Sequence, residues 1–291
     1  MDIASFLSEH QLPETYRQTA QNWFIPLADE IKSHCSGARR PFFVGVNGCQ
    51  GSGKSTLCDF LVFYLGQAHG LNVVTVSLDD FYLPKSDRNA LAIKVHPLLA
   101  TRGVPGTHNT PLALATLARL REYGTVSLPR FNKATDDPRP VTEWPVINSP
   151  PDIVLIEGWC WGVPPQLEQE LDTPVNELEA NEDPLGTWRR FVNSQLAGDY
   201  QTLFSQMQYW VMLKGPSFDH VYRWRCEQEH KLLAKQGPAG SGIMTDEQIA
   251  RFIQHYQRLT EHGFTTLPGR CNHVFELDEN RHIAKVVKQP L

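Results

Sequence analysis

Gly48-Cys49-Gln50-Gly51-Ser52-Gly53-Lys54-Ser55 sets a glycine, four free positions and then Gly-Lys-Ser. That spacing is the phosphate-cradling loop pattern. Residues 41–46, with Phe42, Phe43, Val44 and Val46, are a short apolar run that predicts a buried strand feeding the loop. Residues 56–66, rich in Leu, Phe, Val and Tyr at helical spacing, predict a helix leaving it. The glycines let the backbone turn tightly and aim its N–H groups inward, and a helix N-terminus adds partial positive charge. The octet and Thr56 are therefore the predicted nucleotide-binding set. Lys54 would reach the β- and γ-phosphates of ATP, and the Ser55 hydroxyl would hold Mg²⁺. The plain alternative is a glycine-rich turn without a ligand, which the flanking strand and helix argue against.

Outward from the loop, strands and helices alternate. Residues 72–78, with Val73, Val74 and Val76, predict a second strand that ends in Asp79-Asp80-Phe81-Tyr82. Residues 85–110 show no clean period and read as loop with short helical pieces. Residues 111–123 predict a helix with Thr110 as its N-cap. Residues 126–150 carry Pro129, Pro138, Pro140, Pro145 and Pro150 and read as an irregular substrate loop. Residues 152–156 are a strongly apolar strand ending in Glu157. The acidic stretch 164–184 reads as a surface excursion, and 185–207 as helical. A strand at 209–213, a charged helix at 219–236 and a flexible Gly/Pro/Ser loop at 236–244 follow. Thr245-Asp246-Glu247-Gln248 has the capping-box pattern of a helix running to about 262. The last predicted strand is 272–277. The first forty residues predict helices packed outside the sheet, with Trp23, Phe24, Leu27 and Ile31 on one face. The expected fold is α/β: a doubly wound, mostly parallel sheet flanked by helices, with substrate-loop and lid insertions. No boundary divides the 291 residues, so one domain is expected, with residues 1–40 as a helical extension.

Composition narrows the partners. A net charge of −5 argues against a nucleic-acid-binding surface. No apolar run is long enough to span a bilayer, and the N-terminus lacks a basic-then-apolar signal, so a cytoplasmic location is expected. Cys35, Cys49, Cys58, Cys160, Cys226 and Cys271 form no C-x-x-C pair, which suits free thiols in a reducing compartment. Cys49 lies inside the phosphate loop, either as filler or as an oxidation-sensitive thiol.

A phosphate loop alone does not separate a small-molecule kinase from a GTPase or a mechanical ATPase. In a doubly wound sheet the ligand lies outside the carboxyl ends of the strands, where Asp79 and Asp80 stand. A carboxylate there can take a proton from an attacking hydroxyl, hold Mg²⁺, or cap a turn. Asp79 is the preferred catalytic residue. Glu157, at the end of its strand, matches the second metal-binding carboxylate of nucleotide hydrolases. Arg223 and Arg225 on the charged helix can neutralise charge on a transferred phosphoryl, or simply face solvent. An anionic acceptor calls for cations, and Arg102, His108, Arg130, Lys133 and Arg139 supply them from the two irregular segments. A nucleotide-binding regulator without an acceptor would explain the phosphate loop, but not Asp79 or these loops.

The order of the octet, then Ser77-Leu78-Asp79-Asp80-Phe81-Tyr82, then Ile156-Glu157-Gly158 resembles the phosphoribulokinase, uridine kinase and pantothenate kinase superfamily. The resemblance implies that Asp79 is the base and that Asp80 and Tyr82 sit on the substrate side. The plant and fungal type of D-glycerate 3-kinase is a closer likeness. It rests on Arg102-Gly103-Val104-Pro105-Gly106-Thr107-His108, Leu128-Pro129-Arg130-Phe131-Asn132-Lys133, and Glu157-Gly158-Trp159 with Gly162. Val221-Tyr222-Arg223-Trp224-Arg225 and Met244-Thr245-Asp246-Glu247-Gln248 complete it, so that it spans about residues 42–277. It implies an ATP- and Mg²⁺-dependent kinase with glycerate as the leading acceptor. Nucleoside, pantothenate-like or sugar-type acceptors are the alternatives. This chain has Phe131-Asn132-Lys133 where that family has Tyr-Asp-Lys, and a shorter 134–140 loop where the family has a glycine-rich stretch.

Overall fold

The computed structural model describes residues 2–38, 40–122, 124–236 and 244–289. The chain opens with α1 (Ile3–Glu9), α2 (Thr15–Thr19) and α3 (Ile25–Cys35), the last two joined by a π-helical turn over Ala20–Phe24. Strand β1 (Phe42–Gly48) leads through the phosphate loop into α4 (Lys54–His69) and β2 (Val73–Ser77). Helices α5 (Lys85–Lys94) and α6 (Thr110–Leu120) follow. Four short strands come next: β3 (Val126–Ser127), β4 (Phe131–Asn132), β5 (Asp137–Pro138) and β6 (Val146–Ile147). After them lie β7 (Ile153–Gly158), α7 (Glu177–Glu182), α8 (Thr187–Gln195), α9 (Gln201–Phe204) and β8 (Tyr209–Lys214). The chain ends with α10 (Phe218–Gln236), α11 (Asp246–Thr266), β9 (His273–Leu277) and β10 (Ile283–Lys288).

The main sheet runs in the order β10-β9-β8-β1-β7-β2. All neighbours pair parallel except β9 with β10. This is the mostly parallel, helix-flanked arrangement expected from the sequence. β1 and β7 are buried along their whole lengths, as strands covered on both faces must be. Register aligns the chemistry: Glu157 on β7 lies opposite Val46 of β1 on one side and Ser77 of β2 on the other. The acid therefore stands between the strand that feeds the phosphate loop and the strand that feeds Asp79.

Several expectations need correction. Asn109, rather than Thr110, caps α6, its side chain accepting from the N–H of Leu112. The stretch 85–110 holds a true helix, α5, whose fully buried residue is Arg88. Residues 126–150 are ordered as two nested antiparallel ladders, β3 with β6 and β4 with β5. They form an arm whose tip, residues 133–136, reaches the main cavity. The acidic excursion is not all surface. Glu179 and Asp183 are buried, and they pair with Arg258 at 2.6 Å and Arg189 at 3.1 Å. Trp23 is 37% exposed, whereas Phe24, Leu27 and Ile31 are buried. The π turn rotates Trp23 off their stripe. Strand β10 was not anticipated: it is an exposed edge carrying Lys285 and Lys288, with a bulge that breaks its alternation. The loop expected at 236–244 falls, for residues 237–243, outside the described residues. In the N-terminal segment Phe6 of α1 meets Phe60 of α4 at 5.4 Å, and Phe24 of the π turn meets Phe275 of β9 at 5.8 Å. No described helix is long and apolar enough to cross a membrane.

Candidate active site

The phosphate loop leaves β1 and enters α4 at Lys54, and no side chain caps that helix. Its first-turn N–H groups are thus available to a ligand. Gly51 takes φ +77°, and a Cβ there would stand 2.7 Å from the Trp224 Cβ. Glycine is required twice over, by conformation and by the close approach of α10. Cys49 is buried, and burial pushes its thiol up to about 12 despite Lys54, so it is inert filler rather than a reactive thiol.

A cavity of about 250 Å³ opens over the loop. Gln50, Gly51, Lys54 and Ser55 form its floor, Asp79, Tyr82 and Glu157 one wall, and Arg102, Lys133 and Arg225 a cationic rim. Trp159, Phe252 and Tyr256 close it. The Ser55 hydroxyl donates to Glu157 at 3.1 Å, and Lys54 Nζ lies 3.7 Å from the same carboxylate. Glu157 Oε2 is buried without a hydrogen-bond partner. A hydroxyl beside an under-satisfied carboxylate is an oxygen donor set that suits a hard cation such as Mg²⁺. Burial would discharge Lys54, but Glu157 and Asp79 outweigh it and hold the ammonium charged.

Asp79 sits on a 3₁₀ turn, Leu78–Phe81, at the carboxyl end of β2. Its Oδ1 accepts from the Tyr82 hydroxyl at 2.7 Å and its Oδ2 from Lys133 Nζ at 2.7 Å. Burial pushes this carboxyl up, yet the charges of Lys133 and Lys54 and the Tyr82 hydroxyl together hold it well below the usual carboxylate range. Arg102 reaches the rim with its backbone clamped. The Tyr256 hydroxyl donates to the Arg102 carbonyl at 3.0 Å, and Trp159 Nε1 donates to the Gly103 carbonyl at 2.9 Å. Gly103 has φ +132°, and a Cβ there would clash with the Tyr256 ring and hydroxyl. The Arg102 guanidinium pairs with Asp136 at the arm tip.

Other expected site residues lie elsewhere. Asp80 turns away from the cavity to hold Arg130 at 3.2 Å and the N–H of Phe131 at 3.3 Å. Arg130 accordingly lines a different groove, beside α1, and not the central cavity. His108 is buried behind Tyr82, stacked on it at 4.7 Å. Burial lowers its pKa to about 3, so it is neutral and no anchor for an anion. Arg139 pairs with Glu143 at 3.3 Å on the surface of the arm. Arg223 is exposed, 4.0 Å from Glu279, while Arg225, two residues on, lines the cavity and pairs with Glu229. Thr56 faces a second recess of about 430 Å³ on the far side of the phosphate loop. Sequence reasoning gave no site role to Trp159, which it used only for the resemblance, and did not single out Phe252, Tyr256 or Asp136. The aromatics on α11 share the helical stripe of buried Ile249 and Ile253, so their spacing is that of ordinary core.

Known proteins share this architecture. No protein-family model matches the chain. It is 33% identical over 263 residues to an uncharacterized kinase of Schizosaccharomyces pombe, covering 84% of this chain and 90% of that protein. It is 29% identical over 269 residues to the chloroplastic D-glycerate 3-kinase of Arabidopsis thaliana, covering 86% of this chain and 56% of that longer protein. The solved structure of D-glycerate 3-kinase from Cryptococcus neoformans superimposes with a TM-score of 0.75 at 28% identity, covering 95% of this chain and 100% of that one. The chain belongs with these proteins to a family of ATP-dependent P-loop kinases that act on small molecules.

Proposed function

We propose that this kinase transfers the γ-phosphoryl group of Mg-ATP to a hydroxyl of D-glycerate. The observation that carries the reading is the company Asp79 keeps: a carboxylate at a strand end, facing a cavity rimmed by Lys133, Arg102 and Arg225. A general base wrapped in cations suits an acceptor that brings a negative charge with its hydroxyl. The two named D-glycerate 3-kinases among the similar proteins support the same acceptor.

In this reading the loop N–H groups and Lys54 hold the β- and γ-phosphates. Ser55 and Glu157 would hold Mg²⁺, which when bound neutralises charge on the phosphate oxygens. The nucleoside end has room in the recess beyond the loop, where Thr56, Asn280, Arg281 and His282 offer polar groups. Asp79 takes the acceptor proton, Arg102 and Lys133 hold the carboxylate, and Arg225 faces the phosphoryl in transit. Because Arg130 and His108 are engaged elsewhere, Arg102 and Lys133 carry acceptor recognition between them.

The test is a panel of acceptors with purified protein, ATP and Mg²⁺, followed by product analysis. D-glycerate should be phosphorylated, with ADP formed in equal amount. If an uncharged sugar or nucleoside is phosphorylated and D-glycerate is not, the kinase stands and the acceptor reading falls. Omitting Mg²⁺ should abolish turnover. Glu157→Gln should raise the Mg²⁺ concentration needed for half-maximal rate, and an unchanged requirement would remove Glu157 from the metal site.

A further inference from the structure

In the structure both oxygens of Asp79 are occupied, Oδ1 by the Tyr82 hydroxyl and Oδ2 by the Lys133 ammonium. The two partners differ in freedom. Tyr82 is buried and stacked on His108. Lys133 has a side chain 61% exposed, on a long flexible stem. The arm that carries it is pinned. Arg88, itself buried, donates to the Asp136 carbonyl at 3.0 Å and to the Asp136 carboxylate at 2.8 Å. The N–H of Lys85 donates to the Asp137 carboxylate at 2.8 Å. A swing of the lysine stem alone, with the backbone fixed, would therefore uncover Asp79. An ammonium at 2.7 Å crowds the oxygen that must receive a proton and weakens it as a base. The same ammonium, with Arg102 beside it on the rim, is what an incoming carboxylate would bind.

We propose that Lys133 is a substrate-released cover on the base: it masks Asp79 until an anionic acceptor draws the ammonium away, so that water is not phosphorylated in its place. The inference rests on the reading of Asp79 as base and of the acceptor as a hydroxy acid. In transfer, the acceptor O–H bond breaks and its proton goes to Asp79. The oxygen forms a new bond to the γ-phosphorus, and the bond from that phosphorus to the β,γ-bridging oxygen breaks to release ADP. With water as nucleophile the same bonds change, and the products are ADP and inorganic phosphate. The cover suppresses the second outcome in the empty enzyme and makes the acceptor's own charge the signal for the first.

The experiment measures ADP release without acceptor for the wild-type protein and for Lys133→Met. ATP affinity and the melting temperature establish that the variant is folded. Acceptor-independent hydrolysis should rise by about tenfold in Lys133→Met, a fraction of what a positioned general base can contribute, while transfer to D-glycerate falls. A second measurement needs no variant. D-lactate keeps the carboxylate of D-glycerate but lacks the 3-hydroxyl, so it should stimulate hydrolysis by the wild-type protein. A merely structural lysine would lower both rates. In a protein that phosphorylates D-glycerate, absence of either rise overturns the cover and leaves the acceptor reading intact. Phosphorylation of an uncharged acceptor in place of D-glycerate would overturn the acceptor reading, and release by an anion with it.

Discussion

Asp79 and Asp80 are adjacent in sequence and opposite in circumstance. A 3₁₀ turn separates successive side chains by about 120°, so one faces the cavity and the other the arm. Burial pushes Asp80 up, with Arg130 and the Phe131 N–H working against it, whereas the lysines around Asp79 hold that carboxyl down. Asp79→Asn should therefore keep ATP binding and lose about 10²–10⁴-fold in transfer, the worth of a general base. Asp80→Asn should instead loosen the arm, costing about 1–3 kcal/mol as its partners lose a charged acceptor. Rates and urea midpoints for both variants decide the matter. A larger rate loss at Asp80, with its midpoint unchanged, would exchange the roles. Arg223 and Arg225 divide in the same way. Arg225→Ala should lower kcat with little change in the acceptor KM, since Arg225 lines the cavity and is the arginine proposed to face the phosphoryl in transit. Arg223→Ala, at an exposed side chain facing Glu279, should leave both within about twofold, as an exposed pair is worth little. A drop in kcat at Arg223 alone would move that role from one arginine to the other.

Among the elements, those with one dominant signal were legible in sequence and those built from several weak ones were not. β1 and β7 are apolar runs buried on both faces, β8 is apolar and buried through its middle, and the edge strand β2 alternates buried Val74 and Val76 with half-buried neighbours, so each is plain in the sequence. The cap of α11 is equally plain, Thr245 accepting from the N–H of Gln248 while Gln248 accepts from the N–H of Thr245. β10 was not legible, because a bulge between Ile283 and Lys285 breaks the alternation of its apolar residues Ile283, Val286 and Val287. The arm was read as irregular because its strands are two residues long and rich in proline, and its order comes from distant partners. Arg88 is the main one. It is 1% exposed, on a helix that periodicity did not reveal, and it donates to the carbonyls of Leu83, Ala100 and Asp136. Asp136 in turn holds Arg102, so one buried guanidinium supports both cations assigned to the acceptor. Arg88→Lys should be a poor replacement, since an ammonium cannot reproduce the planar fork. The acceptor KM should rise by about tenfold or more, given about 1.4 kcal/mol for each factor of ten, while the ATP KM holds. An equal rise in both would mean that Arg88 supports the whole fold rather than the arm.

At the scale of the whole molecule, the N-terminal helices contribute Phe6, Phe24, Leu27 and Ile31 to the same buried cluster as the sheet, and we propose that they fold with it as one unit. Buried histidines are spread through that unit. His108 lies behind the cavity wall, His255 on α11 against Trp188 of α8, and His273 on β9 beside Tyr209 and Glu30. Each is 5% exposed or less. Burial lowers them from the ordinary 6.5 to about 3 for His108 and to about 4 for His255 and His273. In the unfolded chain a histidine takes a proton near 6.5, whereas the folded protein refuses it until the pH is far lower. Below about pH 6.5 the unfolded state therefore binds more protons, and stability rises with pH wherever that is so. The contribution of these groups is thus complete above 6.5 and is lost as the pH falls toward about 4. The limiting slope is about 1.4 kcal/mol per pH unit for each histidine. The depressed carboxylates, Asp79 and Asp136, enter the balance only at lower pH, since their loss begins near the ordinary carboxylate range. Between pH 7 and 5 the histidines should therefore dominate, and the urea midpoint should fall steadily across that interval. His255→Gln removes one titrating group far from the cavity and should reduce the slope even if it lowers the midpoint at pH 7. A midpoint that is flat from pH 7 to 5, or a slope untouched by His255→Gln, would show that these histidines are not held neutral by the fold.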